Sequence, residues 1–242
     1  MRHSLTLEKI VAEASNVKSY HFLPNTVIEF KAGQFLKYFL SHPESDQRGV
    51  SRYFTISSAP QEKTIMMTTK FVPGDGSSFK QALLKLAPGD HIEAEGPSGS
   101  FTYQDHLQEV VFVAGGIGIT PFRAILMDLD QQNINPPITL LYANRTSDAS
   151  FKNLFAGLTK KHDRLKVDYV TGLITEDILK SYLINHPSAV FYLSGPEPMV
   201  ESLKKSLENL GLPANQIKTD YFPGYEDEFT ISPQLEKDEV AK

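Results

Sequence analysis

Gly115, Gly116 and Gly118, followed by Thr120 and Pro121, form the stretch of this sequence best suited to a phosphorylated ligand. Glycines let a backbone approach a pyrophosphate closely, and Thr and Pro suit a helix start that offers free N–H groups to it. The pattern is not GxGxxG, and a glycine turn before a helix is also an ordinary structural device. Ser194-Gly195-Pro196-Glu197-Pro198-Met199 is a second stretch of this kind. Pro198 fits a first helical turn, and a plain loop remains an equal reading. Arg145, after Asn144, follows an apolar run and could meet ribose or phosphate, or simply be solvated. Arg52-Tyr53-Phe54-Thr55 puts a cation in an aromatic run, where it needs an anionic partner or an exit to water. The two adjacent aromatics could wall a planar ring or fill a core. Gly74-Asp75-Gly76-Ser77-Ser78 precedes a helical pattern, so it could hold phosphate or be an ordinary N-cap.

The elements that would position these stretches fall into two sets. Residues 5–14, 17–24, 33–40, 52–59, 63–72 and 90–97 read as strands rich in β-branched or aromatic residues and bounded by Pro, Gly, Ser or Asn. A helix interrupts them, capped by Ser77 or Ser78, with Phe79, Leu83, Leu84 and Leu86 as its apolar face. Short strands with one helix predict a small antiparallel β-barrel. From about residue 107 apolar strands alternate with amphipathic helices, which predicts a doubly wound parallel sheet covered on both faces. Ligands of such sheets bind beyond the C-terminal strand ends, where the glycine, Ser-Gly-Pro and Asn-Arg stretches lie. The expected division is 1–104 for the barrel domain, 105–225 for the α/β domain and 226–242 for a tail.

Composition narrows the classes. At 242 residues, 40% hydrophobic and 22% charged, the chain can bury a core without a staple. No apolar run reaches the ~18 residues of a membrane span, and no signal peptide is read, so a cytoplasmic location is expected. With 0 cysteines this chain offers no disulfide, zinc-thiolate site, cysteine nucleophile or cysteine-ligated iron–sulfur cluster. No two of its 7 histidines stand three or four apart, and no metal site is expected. A net charge of −5 argues against nucleic acid as a partner. Most of that charge belongs to residues 226–242, read as a solvated acidic tail or a docking segment for a basic partner.

Taken in order, the Arg-aromatic-Thr strand, the Gly-x-x-Ser helix start, Gly96-Pro97-Ser98-Gly99-Ser100-Phe101, Gly-Gly-x-Gly-x-Thr-Pro and Ser-Gly-Pro-x-x-Met resemble the ferredoxin–NADP reductase-like flavoprotein family, over residues 5–225. The resemblance implies a flavin-binding β-barrel followed by a nicotinamide-nucleotide-binding α/β domain. It implies that Arg52 binds the flavin pyrophosphate, that Phe54 lies against the isoalloxazine beside Tyr53, and that Thr55 aims its hydroxyl at the reactive end of the ring. Gly74 and Ser77 match the family's second phosphate motif. Gly76, Ser78, Thr69 and Lys70 join the expected flavin set, and the pyrophosphate pairing favours FAD over FMN. Gly115, Gly116, Gly118, Thr120 and Pro121 match the nucleotide loop, with Asn144, Arg145, Gly195, Pro196 and Met199 completing that set. Ser194, Asp220 and Phe222 are expected beside the reacting rings with Thr55. Phe222 would shield the flavin, with Tyr225 second.

The implied activity is hydride transfer from NADH or NADPH to FAD, then electron release to a separate ferredoxin- or flavodoxin-like protein or a small molecule. Some positions depart from the family pattern. Phe54 replaces Tyr, Ser194 replaces Cys, and Val170-Thr171-Gly172-Leu173 lacks the cation that would meet a 2′-phosphate, which tilts the expectation to NADH. A non-catalytic nucleotide-binding subunit or regulator on the same scaffold is the alternative.

Overall fold

The computed structural model describes residues 1–43, 45–72, 76–103 and 108–222. Strands β1 (Arg2–Ala14), β2 (Val17–Pro24), β3 (Phe35–Phe39), β4 (Ser51–Thr55), β5 (Ile65–Lys70) and β6 (His91–Ser98) form a six-stranded sheet in the order β4-β3-β6-β1-β2-β5. Its pairings are antiparallel. An Ile56–Met67 bridge and a Ser57 N–H to Met66 O bond of 2.7 Å curl β4 back onto β5, so the sheet closes toward a barrel. Alternation selects the inward set: Leu5, Leu7, Tyr20, Phe22, Leu36 and Tyr38 are buried, while Thr6, His21 and Lys37 between them are less so. Helix α1 (Ser78–Leu84) covers one end, burying Phe79 and Leu83. Ser77 is its cap, accepting from Lys80 N–H. Leu84 is turned outward at 39% exposure, so it does not belong to the expected apolar face.

The second half is a five-stranded parallel sheet in the order β11-β10-β7-β8-β9, built from β7 (Val110–Gly115), β8 (Ile138–Asn144), β9 (Leu165–Thr171), β10 (Val190–Pro196) and β11 (Ile217–Phe222). Strand β7 shows why it must be covered twice. Val110, Phe112 and Ala114 enter one core with Phe122 and Ile125 of α2 (Ile119–Gln131) and Phe155 of α3 (Lys152–Lys161). Val111 and Val113 enter the other with Leu179 of α4 (Glu176–Asn185) and Val200 and Leu203 of α5 (Glu197–Asn209). Every β7 side chain is buried, as expected for a parallel strand at the sheet centre. The order in which strands are added to the sheet reverses between β7 and β10, the switch point beyond whose C-terminal strand ends such sheets bind ligands.

The two halves meet in a packed seam. Ala32, Met66, Phe101 and Tyr103 from the barrel side belong to the same core as Phe112, Phe122 and Tyr192. Phe101 and Phe122 ring centroids are 5.7 Å apart. The tail 226–242, Tyr225, Gly74 and the junction at 104–107 lie outside the described residues.

Candidate functional site

The glycine stretch sits at the switch point. Gly116–Gly118 form a 3-10 turn, and α2 starts directly at Ile119 with Gly118 as its cap. Thr120 and Pro121 therefore lie inside the first turn, and the Thr120 hydroxyl donates to Ile117 O at 3.1 Å, so it is spent on the turn itself. The requirement for glycine differs by position. At Gly118 a Cβ would lie 2.2 Å from Ser194 O, so only glycine lets this turn rest on the end of β10. At Gly115 and Gly195 a Cβ would strike Met199, whose side chain packs between the two strand ends. Gly116 has φ +53° and nothing within 4 Å of its Cβ position, so its backbone faces open space. That open glycine cradle fits a pyrophosphate on the turn.

Ser194 is fully buried, and its Oγ has no hydrogen-bond partner among the described residues. It pairs in register with Ala114 on one side and Asp220 on the other. This unmet hydroxyl lies near the end of β10, where the Gly116–Gly118 turn rests on the strand. Desolvation pushes the half-buried Asp220 carboxyl up to about 7, so near neutral pH its protonated and ionised forms are both populated. A carboxyl raised in the folded state lends its full stability below the unfolded value, about 4, and loses it as pH climbs toward 7. Asp220→Asn should remove that slope. In thermal melts from pH 4.5 to 8 the variant should gain on wild type as pH rises, by about 1–3 kcal/mol, and parallel curves would contradict the assignment.

On the barrel side the pleat separates the two aromatics expected to share a wall. Tyr53 is 61% exposed and packs edge-on against Phe35 at 5.6 Å, with Lys37 Nζ 5.6 Å from its ring centre. Phe54 faces inward against Phe79 at 5.8 Å and Tyr38 at 5.9 Å. Adjacent strand residues point to opposite faces, so only one of them can line a given surface. Phe54 shares its face with Arg52, whose guanidinium lies 5.7 Å from the Phe79 ring. Thr55, buried, ends the strand.

The anionic partner that Arg52 requires is Asp46. Arg52 Nη2 donates to both Asp46 oxygens at 2.8 and 3.0 Å, and Nη1 donates to the carbonyls of Arg48, Gly49 and Ser51. Asp46 also accepts from Arg48 N–H and from Ser78 N–H. Desolvation works against the charge, but the hydrogen bonds from Arg52 and Arg48 and the Ser78 N–H hold this carboxyl well below its usual range. Ser78 Oγ in turn accepts from Asp46 N–H and bonds to His42 Nε2 at 2.9 Å. A carboxylate thus occupies an anion cradle made by Arg52 and the start of α1. Arg52 Nε is buried without a partner among the described residues. The donor set fits a phosphate group.

The remaining expected residues cluster nearby or lie apart. Gly76 precedes the Ser77 cap. Thr69 is buried in β5, and Lys70 O accepts from Lys80 Nζ at 2.7 Å, joining the β5 end to α1. Strand β5 also touches the Gly116–Gly118 turn, which brings the barrel and the glycine cradle together. Asn144 ends β8, where its carbonyl accepts from Gly172 N–H, and Arg145 follows, exposed. Pro196 ends β10 and α5 starts after it. Phe222 ends β11 beside Pro196 in register.

Residues that sequence reasoning passed over include Asp46, Glu62, Arg123 and Asp148. Arg123 was detectable: a charge within the apolar Phe122-Arg123-Ala124-Ile125 run needs a buried anion, as Arg52 does.

Known proteins share this two-domain arrangement. Residues 4–103 match the family described as oxidoreductase FAD-binding domain, and residues 112–205 match the oxidoreductase NAD-binding domain. The chain carries an oxidoreductase FAD-binding domain followed by an oxidoreductase NAD-binding domain, and its two-domain fold is that of ferredoxin–NADP reductase-like proteins. Among curated relatives it is 28% identical to a flavohemoprotein of Candida albicans, over 90% of this chain and 58% of that one. It is 30% identical to one component of the Na(+)-translocating NADH-quinone reductase of Marinomonas sp., over 72% of this chain and 49% of the relative. The chain thus spans about half the length of the curated relatives it matches. Its fold resembles the FAD/NAD-binding domain of nitric oxide dioxygenase from Vibrio cholerae, with TM-score 0.78, 21% identity, and 91% and 98% of the two chains covered. It also resembles ferredoxin-NADP+ reductase from Plasmodium falciparum, with TM-score 0.77, 16% identity, and 90% and 95% covered.

Proposed function

We infer that this chain is a flavin-dependent oxidoreductase module that takes hydride from NADH or NADPH onto FAD and passes electrons to a separate acceptor. The observation that carries this reading is the contact of the Gly116–Gly118 turn with β5, which sets a nucleotide cradle against the barrel that bears the Arg52 strand. FAD held there supplies a two-electron acceptor that can release electrons one at a time. Arg52, with the Ser77–Ser78 helix start, holds the flavin pyrophosphate once Asp46 yields its place. Gly116 and Gly118, with Thr120 and Pro121 fixing the turn, hold the nucleotide pyrophosphate. Asn144 and Arg145 flank its ribose end, and the absence of a cation at Thr171-Gly172-Leu173 favours NADH. Thr55, Ser194 and Asp220 address the reacting rings: Ser194 offers its unmet Oγ, and Asp220 can take up or release a proton at its carboxyl near pH 7. The work is divided between residues 1–104 and 105–225.

Among the described residues no helix is long and apolar enough to cross a membrane. The acceptor class proposed is a ferredoxin- or flavodoxin-like protein or a small oxidant. Heat-released cofactor from the purified protein should be FAD by chromatography, and its absorbance in the native protein should be perturbed by NAD⁺. Release of FMN, or of no flavin after reconstitution with FAD, would overturn the reading.

A further inference from the structure

Arg123 is a charged residue at 7% exposure on α2, the helix headed by the glycine turn. Its Nη1 and Nη2 form a two-pronged pair with Glu62, with Nη2 donating to Oε1 at 2.9 Å and Nη1 to Oε2. Nη1 also donates to Ser57 O at 2.9 Å, and the guanidinium lies 5.8 Å from the Phe151 ring centre. Glu62 is itself fixed, because its Oε2 accepts from Ala59 N–H at 2.6 Å and its own N–H donates to Ala59 O. Desolvation opposes its charge, but the hydrogen bond and charge of Arg123 keep its carboxyl low, so the pair stays ionised. Segment 57–58 is fastened in turn to β5, through Ser57 N–H to Met66 O and Met66 N–H to Ser58 Oγ. Gln61 Nε2 to Asp128 Oδ1, at 2.8 Å, repeats the barrel-to-α2 link further along the helix.

We propose that Arg123 is a positioning residue for hydride transfer: its pair with Glu62 and its bond to Ser57 O set the spacing between the glycine cradle and the strand end that carries Thr55. The proposal rests on the function inferred above. Both arms of the link are stiff. From Gly118 to Arg123 runs about 7.5 Å of helix, at roughly 1.5 Å per residue. From Thr55 to Ser57 runs about 7 Å of extended chain, at roughly 3.3 Å per residue. A shift at the pair therefore reaches both sites nearly undiminished. Hydride transfer depends steeply on donor–acceptor placement, and about 1 Å of error can cost ~100-fold. A planar fork gripping a carboxylate fixes distance and angle together, which an ammonium does not. A plain structural brace would hold the halves together without governing the rate of one step.

The test compares wild type, Arg123→Lys, Glu62→Gln and the double variant R123M/E62M, the last leaving no unpaired buried charge behind. Each is loaded with FAD and mixed anaerobically with NADH, with NADPH, or with dithionite, which reduces flavin without docking a nucleotide. In the double variant, reduction by NADH should slow about 30- to 100-fold, with NAD⁺ affinity within threefold of wild type and dithionite reduction unchanged. Arg123→Lys should fall between wild type and the double variant. Equal NADH rates in wild type and a flavin-loaded double variant would overturn the proposal. Parallel losses with both reductants, or a rate loss that only tracks lost flavin in Arg123→Lys, would also overturn it and leave a brace. If wild type itself is not reduced by either nucleotide, the functional reading fails, and the proposal with it.

Discussion

Gly116→Val is expected to abolish reduction by NAD(P)H while leaving FAD in place. Gly116 has φ +53°, a region that a β-branched residue enters only at a cost of roughly 1–2 kcal/mol or more. Nothing lies within 4 Å of its Cβ position, so the valine side chain would project into the space where a pyrophosphate must approach the backbone. Strain that moves the turn and bulk that blocks it act in the same direction. Nucleotide affinity should fall at least about 100-fold, since two or more anion-binding N–H contacts at roughly 1.5 kcal/mol each are lost. Titration with NAD⁺ followed by flavin absorbance measures this directly. The turn touches the barrel at β5, but Arg52 is held by Asp46 and the carbonyls of Arg48, Gly49 and Ser51, so flavin content should stay near one per chain. Equal loss of flavin would show that the two cradles have been assigned to the wrong ligands.

The second large effect is expected at Arg52. Arg52→Ala should weaken FAD binding roughly 10- to 150-fold, because a charge-assisted hydrogen bond to phosphate contributes about 1.5–3 kcal/mol. The variant also leaves the Asp46 carboxylate beside the phosphates with its main counter-charge gone. Arg52→Lys keeps the charge and loses the fork, so it should fall between the two. Fluorescence quenching of FAD by the apoprotein reports the affinity. Unchanged binding in Arg52→Ala would mean that the Arg52–Asp46 pair is structural and that the pyrophosphate is held elsewhere.

Much of the architecture was legible because it rests on local periodicity. The three inner strands of the parallel sheet, β7, β8 and β10, are apolar runs that a twice-covered strand explains, the edge strands β9 and β11 carry Lys, Asp and Thr among their apolar residues, and α2 to α5 carry apolar stripes between them. The barrel strands were readable from turn residues and alternation. What escaped were relations that no local pattern encodes. The Tyr53–Phe54 pair reads as one aromatic surface in sequence, but the pleat sends the rings to opposite faces. The helix start expected at Thr120–Pro121 is pre-empted by a 3-10 turn, because the glycines let the chain tighten immediately after β7. Asp46 lies in a loop of mixed polarity, and only the fold shows that it faces Arg52. Arg123 and Glu62 stand 61 residues apart on different halves. The cation signals that an anion must exist but not which one. Ser15 and Asp148, joined across the seam at 2.8 Å, carry no sequence signal at all.

The central claim is that these two cradles meet to pass hydride from nicotinamide to flavin. Anaerobic stopped-flow mixing of the FAD-loaded protein with NADH, and with NADH deuterated at the transferred C4 position, tests it most directly. Full loss of the oxidised-flavin absorbance is expected, with a slower rate for the deuterated nucleotide because the C4–H bond breaks in the observed step, whose rate the alignment at the seam sets. A protein that retains FAD, binds NADH and keeps its oxidised spectrum would contradict it.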